Sequence, residues 1–74
     1  MIFTYDKSSN AAYVQFNEVE DDRGIVKETQ PLTEDILVDY DSKGRIFGIE
    51  FLNASTHLPD SLLLQSDNQH KKSA

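Results

Sequence analysis

Asp39-Tyr40-Asp41-Ser42-Lys43-Gly44-Arg45-Ile46-Phe47-Gly48-Ile49-Glu50 follows the pattern D-x-D-x-x-G-x-I-x-x-x-E, and these residues form either a metal-binding loop between helices or a turn between strands. The spacing is that of an EF-hand, in which oxygen ligands surround a glycine at a sharp turn and a glutamate closes the cage. Lys43 breaks the fit. It stands where Asp or Asn supplies oxygen and would bring an ammonium into a cation site. The flanks break it again. An EF-hand needs a helix on each side, whereas Asp35-Ile36-Leu37-Val38-Asp39 and Ile46-Phe47-Gly48-Ile49-Glu50-Phe51 are β-branched, aromatic and alternating. Two strands joined by Asp41-Ser42-Lys43-Gly44 fit better, with Asp first and Gly fourth as a type I turn prefers. Asp41 then faces Arg45, and a one-residue bulge at Gly44 fixes the register. That register sets Val38 opposite Gly48. It puts Ile36, Val38, Tyr40, Ile46 and Leu52 on one face and Leu37, Phe47, Ile49 and Phe51 on the other. Both faces are largely apolar, so the hairpin is expected to be central and covered on both sides.

Outward from this hairpin, Ile2 to Asp6 is a short strand and Lys7-Ser8-Ser9-Asn10 a polar turn. Ala11 to Asn17 is a second strand, with Ala12, Val14 and Phe16 on one face and Ala11, Tyr13 and Gln15 on the other. The run from Glu18 to Asp22 carries too many like charges to pack and reads as a solvated loop. Arg23-Gly24 leads into a third strand, Ile25 to Gln30, which Pro31 should stop. Asn53 and Ser55 are helix-cap residues, and Pro59 suits a first helical position. One turn over Ala54 to Leu58, then a helix from Pro59 to Gln65, would lay Leu58, Leu62 and Leu63 over the sheet. The expected class is α+β: a small antiparallel sheet of about five strands, a meander of hairpins, with a short C-terminal helix. Residues 1–65 form a single domain and 66–74 a disordered polar tail.

Seventy-four residues, 38% of them hydrophobic, support only a thin core. There is no cysteine to staple it, so self-association, at least to a homodimer, is the expected remedy. The lack of cysteine and the absence of a basic start or long apolar stretch fit a cytoplasmic protein without a membrane span. Thirteen acidic against seven basic residues give a net charge of −6. Such a surface repels phosphate backbones, which argues against direct nucleic-acid binding and suits a basic protein partner.

Tyr5-Asp6, Ala11-Ala12-Tyr13-Val14, Asp39-Tyr40-Asp41 with Gly44-Arg45, Gly48-Ile49-Glu50, and Ala54-Ser55 with Leu58-Pro59 occur in a recognisable order. Over about residues 2 to 64 the chain resembles the small bacterial family called domain of unknown function 2283. The resemblance implies a compact antiparallel sheet with a short C-terminal helical element. For some members it also implies the antitoxin half of a toxin–antitoxin pair, beside a small ribonuclease-like partner. Asn10 and Lys43 stand where relatives often carry acidic residues, which weakens any carboxylate-dependent site of the family in this chain.

No arrangement of residues identifies an enzyme or a cofactor. Asp39 and Glu50 on neighbouring strands invite a carboxylate pair, but the register above sets them on opposite faces. His57 lies near Ser55, yet no G-x-S-x-G elbow surrounds any serine, and metal spacing is lacking. Gly44 and Gly48 sit within the hairpin rather than before a long helix, so Gly48 is expected to make room for Tyr13 or Tyr40. The expected function is therefore a non-enzymatic acidic interaction module, antitoxin-like, that neutralises a basic toxin, with its acidic loop and tail settling into basic grooves. The alternatives are a small-ligand binder or enzyme built on Tyr5, Asp39, Glu50 and His57, or a weak calcium binder using Asp39, Asp41 and Glu50.

Overall fold

A computed structural model describes residues 1–17 and 24–65. The acidic run from Glu18 to Asp22, Arg23, and the tail over 66–74 with His70 lie outside the described residues. Five antiparallel strands, β1 (Ile2–Asp6), β2 (Ala11–Gln15), β3 (Glu28–Pro31), β4 (Ile36–Tyr40) and β5 (Ile46–Leu52), form one sheet in the order β1-β2-β5-β4-β3. A helical turn, α1 (Ala54–His57), follows, and residues 60–65 are helical again. The expected α+β class and its hairpins are present. The strand order departs from a plain meander: the chain leaves β2, crosses to the far edge for β3, and returns so that β5 pairs with β2.

The decisive hairpin forms as its residues dictate. Asp41 and Arg45 close the turn, Gly44 N–H donates to Asp41 O at 3.0 Å, and Gly44 has φ +78. Strands, not helices, flank it, so the loop has hairpin geometry rather than that of an EF-hand. Next to the turn the register is the expected one, with Tyr40 opposite Ile46. Beyond it the pairing slips by one residue: Asp39 lies opposite Gly48 and Val38 opposite Ile49, so Phe47 is an extra residue in β5. One such insertion moves every residue beyond it to the other face. Ile36, Val38, Ile49 and Phe51 therefore share one face with Phe47, which is only 3% exposed. Leu37, Asp39, Gly48, Glu50 and Leu52 lie on the other.

The third strand also shifts. It runs Glu28–Pro31 rather than Ile25 to Gln30, and Pro31 ends it as a member. An edge strand tolerates proline because the missing N–H faces away from the ladder.

The C-terminal helical segments cover only one face. Ala12, Ala54 and Leu63 form the buried cluster there, with Phe3, Tyr5, Phe51 and Leu58 packed against it. Leu63 rather than Leu62 is the deeply buried leucine of residues 60–65. On the opposite face no helix lies among the described residues, so the expectation of cover on both sides is not met by them. The smallest extent of the molecule is 17 Å, which fits one sheet with one layer laid on it at a spacing of about 10 Å. Among the described residues no helix is long and apolar enough to cross a membrane.

Candidate functional site

The sheet face away from the helices gathers most of the polar side chains that the strands carry. Strand pairing sets Ile2, Gln15, Gly48, Asp39 and Thr29 in one row, and Thr4, Tyr13, Glu50, Leu37 and Pro31 in the next. Asp6, Ala11 and Leu52 follow. Asp39 and Glu50 thus share a face, which corrects the expectation that they oppose each other. The cause is the extra residue Phe47.

Gly48 is buried and lies under the ring of Tyr13. A Cβ there would sit 2.3 Å from the Tyr13 hydroxyl oxygen and 2.7 Å from the Val14 carbonyl oxygen. The ring crosses β5 at this point, and its hydroxyl donates to Asp39 Oδ2 at 2.7 Å. The Thr29 hydroxyl donates to Asp39 Oδ1 at 2.5 Å from the far side. Both oxygens of Asp39 are held from two strands, and its carboxylate is fixed in place across the middle of the sheet.

Glu50 lies directly opposite Tyr13 and Leu37. It borders a concavity of about 650 Å³ that runs up to the β1–β2 turn and is also lined by Thr4, Tyr5, Asp6 and Lys7. Of the polar candidates read from the sequence, Tyr5 and Glu50 both border it, although strand pairing sets them on opposite faces of the sheet. Asp39 and His57 do not line it.

Tyr5 has a structural partner. Its hydroxyl donates to Asn10 Oδ1 at 3.0 Å. Asn10 ends the β1–β2 turn with φ 54, and its backbone and side-chain oxygens accept the N–H groups of Ala54 and Ser55 at 2.8 and 3.1 Å. The Asn10 amide donates in turn to Ser55 Oγ at 2.9 Å. Neither Asn53 nor Ser55 caps its own helix. Asn53 occupies the cap position with φ 52 and makes no side-chain cap bond, while Asn10 satisfies the N–H groups of Ala54 and Ser55 from a distant turn.

His57 is held at the other end of α1. Its Nε2 lies 2.9 Å from Asp35 Oδ2, and Asn53 Nδ2 donates to Asp35 Oδ1 at 3.2 Å. The His57 contact, with help from Asn53, draws the Asp35 carboxyl below its ordinary value. In the turn, the Arg45 N–H, the Arg45 guanidinium and the Lys43 N–H do the same for Asp41. Asp6 is likewise lowered, chiefly by the hydroxyls of Ser8 and Ser9. All three carboxylates accept bonds from their own chain, as turn-building and tethering groups do.

The geometry brings Asp39 and Glu50 onto one face and leaves Tyr5 and His57 in separate structural roles. Among the described residues no three His, Asp or Glu side chains gather closely enough to hold a metal ion. Sequence reasoning missed Asn10, Asp35 and Thr29. An asparagine closing a turn is the one local signal that marked Asn10 for positive φ. Residues 2–55 match the model of a family described as "Protein of unknown function (DUF2283)". No curated protein and no solved structure matches the chain.

Proposed function

The chain belongs to the DUF2283 family, and we propose that it is a non-enzymatic, acidic protein-interaction module that binds a basic protein partner. The observation that carries this reading is where the charges sit. The strands bear Asp6, Glu28, Asp39 and Glu50 and no lysine or arginine. The described basic residues Lys7, Lys27, Lys43 and Arg45 all lie in turns and loops. A sheet with this charge pattern attracts a cationic surface and holds it at close range, where complementary charge sets specificity and encounter rate. The dispersal of Tyr5, Asp39, Glu50 and His57 supports a binding role over acid–base chemistry, which needs its groups within hydrogen-bond reach of one reacting atom.

Within this reading the partner is a basic toxin, and the chain acts as its antitoxin by covering the toxin's working surface, as the family resemblance implies. The test is growth rescue. The protein encoded beside this chain is expressed alone and together with it. The expected result is growth arrest by the neighbour alone and normal growth when both are made. A harmless neighbour, or one whose toxicity the chain leaves unchanged, removes the antitoxin role.

A further inference from the structure

The sheet face opposite the helices is half apolar and has no described helix to cover it. We infer that this face docks a basic amphipathic helix of the partner; the inference rests on the interaction-module reading above and specifies its surface. Sheets bury an apolar face against a helix or another sheet. Here Tyr13, Leu37 and Leu52 are each partly buried and surround Glu50. Asp6 on the edge strand β1 and Asp39 on β4 stand on opposite sides of Glu50 on the same face.

The carboxylates set the spacing of what docks. With strands about 4.8 Å apart and about 3.3 Å per residue along each, Glu50 lies roughly 8 Å from Asp39 and roughly 12 Å from Asp6, close to one diagonal. Residues seven apart on a helix are separated by about 10.5 Å along one stripe. Arginines or lysines at that interval would meet the three carboxylates in turn, while apolar residues between them settle on Tyr13, Leu37 and Leu52. A second copy of this chain is the poorer occupant. Face-to-face stacking would press two sets of the same carboxylates together with no strand lysine or arginine to neutralise them.

The probe is a synthetic helical peptide of about five turns, with leucines along one stripe and arginines seven residues apart within it. It is titrated into the full chain labelled with ¹⁵N. The expected response is amide shifts centred on Leu37, Gly48, Glu50 and Leu52. Affinity should fall at least about tenfold with Glu50→Arg and again in about 0.5 M salt. Should Glu50→Arg fold poorly, the near-isosteric Glu50→Gln carries the comparison, with its melting temperature as the check on folding.

Shifts confined to turns or helices, an equal response to the peptide with glutamates in place of arginines, or no binding at all overturn the inference. So does a doubled mass in solution that Glu50→Arg abolishes, because the face then belongs to a second copy. A cellular partner that both Glu50 variants hold at wild-type strength removes this docking face and leaves the interaction reading standing. Peptide binding at this face with no partner in cells supports the face and counts against that reading.

Discussion

Gly48 shows how a single residue places a site. With no side chain, it lets the Tyr13 ring cross β5 and deliver its hydroxyl to Asp39. Gly48→Ala would drive a methyl group into both that ring and the fixed Val14 carbonyl. It should destabilise the fold by about 1–3 kcal/mol, as overpacking does, measured by urea unfolding; an unchanged midpoint would remove the crossing as a constraint.

The turn aspartate gives a pH signature. The carboxyls of Asp6, Asp35 and Asp41 are held below the ordinary value of 3.8 by bonds made only in the folded chain. A lowered folded value means the unfolded chain binds protons first as pH falls. The stabilisation is therefore complete above the unfolded value and is lost as pH drops through the folded one. Melting temperature should be nearly flat above about pH 5 and fall below about pH 4. Asp41→Asn should lower it at neutral pH and make the acid limb shallower. An acid limb of unchanged slope would show that Asp41 takes no part.

At the scale of elements, the β1–β2 turn and α1 stand or fall together through Asn10. Asn10→Ala loses the side-chain cap and keeps a left-handed backbone that alanine resists. The cost should be about 1–3 kcal/mol. Asn10→Gly loses the same bonds without the backbone strain, so its thermal stability should lie between that variant and wild type. Equal stability of all three proteins contradicts a shared hub.

The hairpin and its turn were legible because Asp41, Gly44 and the alternating flanks each specify local geometry. Its register was not. In Ile46-Phe47-Gly48-Ile49, apolar side chains stand at both phases of the alternation, so nothing marks Phe47 as the extra residue. That one slip also hid the shared face of Asp39 and Glu50. The Asn10–Ser55 and Asp35–His57 pairs lie 45 and 22 residues apart. Such contacts depend on how the strands stack and leave no local pattern. The crossing from β2 to the far edge was hidden for the same reason.

Across the whole molecule, the distribution of charge is the feature that selects a partner. A chain of net charge −6 keeps its described cations in turns and loops and its strand carboxylates largely on the face with no helix among the described residues. A half-apolar face without charges would associate indiscriminately, whereas carboxylates spaced across it select a cationic partner. The most direct test is recovery from source cells at low salt of the tagged wild-type chain and its Glu50→Arg variant, with co-purifying proteins identified and quantified by mass spectrometry. We predict one basic protein in near-stoichiometric amount with wild type, reduced at least about tenfold by the variant and stripped by about 0.5 M salt. Wild-type chain recovered alone, or with the same companions as the variant, would contradict the account.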